Sequence, residues 1–137
     1  PKPSSAASDV YKRQVYYYVH MTEFGGYIRH RRECLLQESK DFSVRRVALK
    51  IGVEPAYLSK VERSIVPPPS EKKIVLLAIE LNEDPDVLLA MAGKVSADLL
   101  RIIRERPLLF SELIRSLKAE PDHAVLRIVR EVKDGDW

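Results

Sequence analysis

Cysteine, glycine and long apolar runs are all scarce in this sequence, and each scarcity narrows the class of protein. The single cysteine, Cys34, cannot form an intrachain disulfide, which favours a reducing cytoplasm. No apolar run approaches the ~20 residues that span a bilayer, so no membrane segment is expected. Only 5 glycines punctuate the 137 residues, while leucine, isoleucine, arginine and glutamate recur at helical spacing, and this pattern predicts an all-α protein.

A strong excess of charge of one sign is also lacking, since the formal net charge is only +3. The distribution of charge is more informative than its total. The segment from Met21 to Asn82 contains 11 Lys and Arg against 8 Asp and Glu, whereas the segment from Glu83 to Trp137 contains 9 against 11. If the protein binds a polyanion such as DNA, we expect the amino-terminal segment to bind it.

Residues that could carry out catalysis are few and scattered. His20, His30 and His123 lie far apart in the sequence, and no metal-ligand spacing surrounds Cys34. The chain has neither a GxSxG motif nor a glycine-rich loop that could hold a phosphate. We therefore expect no enzyme activity, no cofactor and no metal site.

The opening segment, residues 1–20, differs in composition from the rest of the chain. Its stretch VYKRQVYYYVH has neither a helix cap nor a helical stripe, and Met21 begins a more typical amino terminus. We expect residues 1–20 to be a non-native or disordered extension. A native arm, disordered or strand-like, is the alternative. No apolar h-region follows the charges, so a secretory signal is not expected.

From Thr22 onward, caps, prolines and apolar periodicity predict eight short helices. Arg31 interrupts the apolar stripe of the first one. The predicted helices are Thr22–Glu38; Ser43–Ile51, ended by Gly52; Pro55 to about Arg63; a fourth capped by Ser70; a fifth begun by Asp84 and Pro85 and closed by Gly93; a sixth opened by Ser96 and stopped by Pro107; a seventh over Leu108–Lys118; and an eighth from Pro121 to near Gly135.

The most informative stretch is SVRRVALKIGVEPAYLSKVER, residues Ser43–Arg63. Two helices joined by about four residues must cross steeply, so the first needs a small residue at the crossing and the turn needs glycine. Ala48 and Gly52 occupy these places. The second helix would then present an outer face shaped to enter a major groove. The apolar contacts between the two helices are assigned to Val47, Ile51, Val53, Leu58 and Val61.

This stretch resembles the XRE, or lambda-repressor-like, family of helix-turn-helix DNA-binding domains. The resemblance covers about Phe24–Met91 and rests on YLSKVER at the recognition helix followed by the PPPSE linker. It implies a five-helix domain over residues 21–93, a dimer as the functional unit, and a role as a transcriptional repressor or autoregulator. Where relatives have Ser or Thr at the cap of the recognition helix, this chain has Glu54. Its carboxylate would repel DNA phosphates unless it is paired or turned inward.

The candidate DNA-binding residues project outward from the two helices. Arg45 and Arg46 lie in a first helical turn, where cations are unfavourable to the helix dipole, so contact with a phosphate explains them best. Each candidate also has an alternative interpretation. The charged residues could form a solvated face, Tyr57 could belong to the core, and the Ser59 hydroxyl could bond to its own backbone. Glu62 is expected to brace the loop after the helix. The full candidate set is Arg45, Arg46, Pro55, Ala56, Tyr57, Ser59, Lys60 and Arg63.

The carboxy-terminal segment, residues 94–137, contains more apolar residues than three exposed helices can hide from water. These residues either cap the core of the preceding domain or form a dimer interface, and we favour the dimer interface. A homodimer would bind a palindromic operator in double-stranded DNA. The alternative function is an antitoxin or partner-binding regulator, whose carboxy-terminal helices bind a toxin or are controlled by a peptidase.

Overall fold

A computed structural model describes residues 23–137, and the predicted extension over residues 1–20 lies outside this described part. The described residues form eight α-helices and one 3₁₀ turn, Lys40–Phe42, with no strand among them, so the all-α class is confirmed for this range. The helices are α1 (Phe24–Leu36), α2 (Val44–Ile51), α3 (Pro55–Glu62), α4 (Glu71–Glu80), α5 (Pro85–Met91), α6 (Ala97–Glu105), α7 (Pro107–Leu117) and α8 (Asp122–Asp134).

The helices fall into two compact units. The first unit ends at Ser96 and contains α1 to α5, and the second covers Ala97–Trp137 and contains α6 to α8. The sequence placed the corresponding boundary after residue 93. Within residues 23–137 we find no helix that combines the length and the apolar character needed to cross a bilayer.

The first unit has a single hydrophobic core to which all five of its helices contribute. The apolar periodicity of the sequence is the cause, because residues three and four apart share one helix face and are buried together. Phe24 and Ile28, four residues apart on α1, are both buried, and Leu35 further along the same helix is half-buried against the core. The core consists of Phe24, Tyr27, Ile28, Val47, Ala48, Ile51, Leu58, Val61, Ile74, Leu77, Ala78, Leu81, Leu88 and Leu89.

Side-chain caps start three of these helices where the sequence predicts them. The Ser43 hydroxyl accepts a hydrogen bond from the Arg46 amide at 3.2 Å, and the Asp84 carboxylate accepts one from the Asp86 amide at 2.9 Å. Ser70 accepts at 3.4 Å from the amide of Lys73. Each cap satisfies a backbone donor that the helix itself leaves without a partner.

The same device ends α2, α3, α4 and α5. In each case one residue turns left-handed, and the following amide bonds to a carbonyl five residues earlier, which is the Schellman arrangement. These bonds are 2.8–2.9 Å long. Glycine supplies the left-handed residue twice, and Ser64 (φ 59°) and Asn82 (φ 54°) supply it otherwise. The four left-handed residues are Gly52, Ser64, Asn82 and Gly93.

The first helix is shorter than the sequence predicts, because α1 ends at Leu36 rather than Glu38. The amides of Glu38 and Ser39 both donate to the carbonyl of Leu35, at 3.0 and 3.1 Å. The Ser39 hydroxyl then accepts from the Asp41 amide at 3.2 Å and starts the 3₁₀ turn. This local side-chain bond competes with continued helix.

Prolines delimit the helices of the second unit. Pro107 occupies the first turn of α7, and Pro121 immediately precedes α8. Proline cannot donate the amide hydrogen bond that a helix interior requires, so each one fixes a break between helices. No residue of α6, α7 or α8 is buried.

Candidate nucleic-acid interface

The candidate interface is built on the joint between α2 and α3. Three residues connect the helices, and Gly52 adopts φ 76°, a conformation that side chains with a Cβ rarely take. Ala48 is fully buried at the crossing, as its small size requires. The Lys73 ammonium group donates to the carbonyls of Ile51 and Gly52 at 2.9 and 3.3 Å, which satisfies the carboxy-terminal end of α2.

The division of α3 into an inner and an outer face follows the predicted pattern in most positions. Leu58 and Val61 are buried in the core, and Val53 packs against it. On the other face, Tyr57 and Ser59 are half-buried, and the Tyr57 ring packs partly against the core. The members of the candidate set that are exposed on α3 or at its end are Pro55, Ala56, Lys60 and Arg63.

Arg45 and Arg46 are both exposed in the first turn of α2. Arg46 faces Asp41 at 3.9 Å, but more than half of each side chain remains in solvent, so this pair is weak. Arg45 and Lys60 make no ion pair with any residue from 23 to 137. Within the same range, Arg63 donates only to the carbonyl of Ser59, at 3.3 Å. Their positive charges therefore remain available to an anion.

Lys50 differs from these cations because it is turned toward α4. Its ammonium group lies 3.6 Å from the Glu80 carboxylate and 5.6 Å from the centre of the Phe42 ring. Both contacts hold Lys50 within the first unit, as expected of a structural cation rather than of a phosphate ligand.

Glu54 occupies the cap position of α3 without capping it. Its side chain accepts no hydrogen bond from the first turn of the helix, and it is exposed. The helix therefore starts with Pro55, whose missing amide removes one of the donors that would need a partner. A carboxylate consequently stands at the start of the exposed face of α3.

A buried ion pair that the sequence did not predict fastens the other end of α3. Glu62 accepts from Arg32 Nε at 2.7 Å and from Nη2 at 2.9 Å, and Arg32 Nη1 donates to the carbonyl of Phe42 at 3.1 Å. Arg32 and Glu62 are only 5% and 6% exposed. The prediction that Glu62 braces the loop after its helix is wrong, because its buried carboxylate is taken up by Arg32 of α1.

The sequence did contain a signal for this pair. Arg32 lies four residues after Ile28, and Glu62 lies four residues after Leu58, so each charged residue continues an apolar stripe into the core. A charge on such a stripe needs a partner of opposite sign, because an unpaired buried charge is strongly unfavourable. Two such charges within one small domain therefore indicate a pair.

A second polar cluster links α1 to the turn after α4. Arg31, treated above as an interruption of the stripe, has Nε 3.0 Å from Glu83 Oε1 and 3.2 Å from the Leu81 carbonyl. The Tyr27 hydroxyl donates to the other Glu83 oxygen at 3.2 Å. Adjacent arginines on α1 thus reach two buried carboxylates on different elements, which fixes α1 against both α3 and the α4–α5 turn.

A further polar contact lies on the surface of α1. His30 Nε2 lies 3.4 Å from the sulfur of Cys34, and both residues are partly exposed. This contact was not predicted from the sequence. Across residues 23–137, no three His, Cys, Asp or Glu side chains come together in a way that could hold a metal ion.

Comparisons of the chain with models of known protein families, with curated proteins and with solved structures find no match. The resemblance to XRE-type regulators therefore remains a prediction from the motifs of residues 43–71 and their surroundings.

Proposed function

We propose that the chain is a sequence-specific DNA-binding regulator of the lambda-repressor-like type, acting as a transcriptional repressor or autoregulator. In this proposal α1 to α5 form the five-helix DNA-binding domain, and α3 enters the major groove. A helix is ~10–12 Å across with its side chains, and the major groove of B-DNA is ~12 Å wide.

The observation that carries the proposal is the contrast between the two faces of α3. The inner face is held by the apolar core and by the buried Arg32–Glu62 pair. The outer face presents exposed Ala56, Lys60 and Arg63, and the Lys60 ammonium group forms no ion pair with any described residue. A rigidly held helix with an unoccupied polar outer face suits base readout, because base contacts require fixed side-chain geometry.

The residues on this surface divide into two proposed roles. Lys60 and Tyr57, three apart on α3, share a face, and Lys60 donates to guanine O6 or N7. Ala56 contacts a thymine methyl group. Arg45 and Arg46 bind phosphates beside the groove, where they fix the position of the protein without reading sequence.

Selection of bound sequences from random duplex DNA, followed by affinity measurements, tests the proposal. Lys60→Ala is expected to weaken the selected site by about 5- to 150-fold, the cost of a lost base contact of about 1–3 kcal/mol, and to weaken random DNA much less. Arg45→Ala is expected to weaken both DNAs similarly and to lower the salt dependence by about one unit of slope. Lys118→Ala removes the same charge from an exposed position of the second unit and is the control.

The results that contradict the proposal are equally specific. If no sequence is enriched, or if neither Lys60→Ala nor Arg45→Ala differs from Lys118→Ala, the domain does not use this face to bind DNA. If Lys60→Ala affects all DNA equally while Arg45→Ala alters base preference, the two roles are inverted.

A second candidate function is that of an antitoxin or partner-binding regulator. The observation that favours it is the exposed apolar surface of the second unit. A toxin would cover that surface, or a peptidase would control it, whereas a homodimer covers it with a second copy.

A further inference from the structure

A pocket in the first unit lies between the start of α1, the loop that follows α3 and the end of α5. Its volume is about 360 Å³, which falls within the ~300–1,000 Å³ of pockets that bind small molecules. Most of its wall is apolar. The apolar residues of the wall include Phe24, Val61, Val66, Pro67, Pro68 and Met91.

The wall on the side of the loop is already formed without a ligand. Pro67 and Pro68 restrict the backbone there, because the proline ring fixes φ. Ile65 lines the same pocket and is 59% exposed, although it is a large aliphatic residue. A preformed wall with an apolar side chain left in water is typical of a small-molecule site.

Glu23 is the only charged residue among the described residues that line the pocket. Its carboxylate accepts a hydrogen bond from the Ser64 hydroxyl at 2.8 Å and forms no ion pair with any residue from 23 to 137. Arg63 and Lys94, which lie near lining residues in the sequence, donate instead to backbone carbonyl groups. No described cation therefore neutralises the charge of Glu23.

The ends of three helices meet the pocket and also affect its charge. Both α3 and α5 end there, and each carboxy-terminal end contributes up to about half a negative charge. The start of α1 contributes about half a positive charge. Together with the full negative charge of Glu23, the sum is negative.

We propose that this pocket binds a small organic cation, an amine with an aromatic or aliphatic body. The apolar wall would remove the body from water, and the ammonium group would pair with Glu23. An anion of the same size would be repelled, and a neutral molecule would leave the carboxylate without an opposite charge. The charge of the ligand is therefore the basis of selectivity.

The pocket is joined to the surface that we propose for DNA binding. Val61 belongs to the last turn of α3, and Ser64 is the left-handed residue that follows this helix. A bound amine would contact both and stabilise the end of α3, which exposes Lys60 and Arg63. We expect the amine to strengthen DNA binding, and DNA to strengthen amine binding by the same factor. This consequence rests on the proposed function.

Methyl-detected NMR of the full chain without DNA tests the site. The chain has only two methionines, Met21 and Met91, so a Met21→Leu variant identifies the signal of Met91 in the pocket. The probes are benzylamine, cyclohexylamine and hexylamine, each compared with the alcohol of the same carbon skeleton. We expect the amines to shift the Met91 signal at millimolar concentrations and to bind about 5-fold more tightly than the alcohols, as for a partly exposed ion pair.

Glu23→Gln removes the charge but keeps an oxygen that can accept from Ser64. It is expected to abolish the preference for amines and to leave binding of the alcohols unchanged. Glu38→Gln is the matched control, because it removes the same charge from an exposed position beyond the other end of α1, roughly 20 Å away. The amide spectrum of α1 to α5 verifies that both variants keep the fold.

The proposal is overturned if no amine shifts the Met91 signal, or if amines and alcohols bind equally well. It is also overturned if Glu23→Gln binds the amines as Glu38→Gln does. An amine that binds but leaves the affinity for the selected DNA unchanged overturns the coupling to α3. Amine binding by a protein that selects no DNA sequence supports the pocket and contradicts the proposed function, so the two failures are distinguishable.

Discussion

The buried pair between Arg32 and Glu62 allows a quantitative test, because α1 carries an exposed pair of the same chemistry. Both pairs are Arg–Glu with Nε to carboxylate distances of 2.7 Å. The side chains of Arg32 and Glu62 are 7% and 4% exposed, whereas those of Arg29 and Glu33 are 53% and 49% exposed. Glu62→Gln and Glu33→Gln therefore make the same chemical change, the first in a buried environment and the second in contact with water.

Glu62→Gln should destabilise the first unit severely. It leaves the Arg32 charge buried without an opposite charge, and breaking a buried pair in this way costs about 3–5 kcal/mol. Glutamine keeps one acceptor for Arg32, so we expect the lower end of this range. Against a total stability of about 5–15 kcal/mol, such a loss lowers the melting temperature by more than about 10 °C. Glu33→Gln should leave stability almost unchanged because water solvates both of its partners.

Amide hydrogen exchange in α3 is the appropriate assay, since it reports the first unit without interference from the second. A loss of 3 kcal/mol raises the exchange rates of its most protected amides by about 150-fold. The double variant Arg32→Met, Glu62→Leu removes both charges and should recover most of the loss. If Glu62→Gln and Glu33→Gln give equal rates, the Arg32–Glu62 pair is not desolvated and the reasoning is refuted.

Two further substitutions test the ends of α3 and α1. Glu54→Ser should raise the free energy of unfolding by about 0.5–1 kcal/mol because serine can cap α3, and it should strengthen DNA binding because it removes a carboxylate. A lower melting temperature in thermal denaturation, or weaker DNA binding in fluorescence anisotropy, would contradict this expectation. Gly25→Ala would bring its Cβ against the backbone carbonyls of Val61 and Glu62. Calorimetry should show a lower melting temperature despite alanine's better helix propensity, and an increase would mean that α1 can shift away from α3.

The helices of this protein could be predicted from its sequence because their signals are local. Ser43, Ser70 and Asp84 act on the first turn that follows them, and Gly52 and Gly93 act on the turn that precedes them. Such signals require no knowledge of what lies across the core. The apolar positions of α2 and α3 were predictable for the same reason, since periodicity alone assigns them to one face.

The buried polar contacts could not be predicted with the same ease, because they join residues far apart in the sequence. Arg32 and Glu62 are 30 positions apart, and Tyr27 and Glu83 are 56 apart. A stripe can show that a charge will be buried, but only the packing of three helices determines which carboxylate it meets. Tyr57 on α3 shows the same limit, because helical periodicity does not decide whether an aromatic ring packs on the core or stays in solvent. In the structure its ring is half-buried.

The left-handed residues that end four helices have a consequence for protein engineering. A residue with a Cβ costs roughly 1–2 kcal/mol in this conformation, and glycine costs almost nothing. Ser64 offsets part of this cost because its hydroxyl donates to Glu23 at 2.8 Å, and Asn82 offsets part because asparagine tolerates the conformation. The chain is thus below its attainable stability at two positions outside the core and outside the outer face of α3. Glycine at position 82 is the simplest route to a more thermostable form, and one that keeps the buried ion pairs intact.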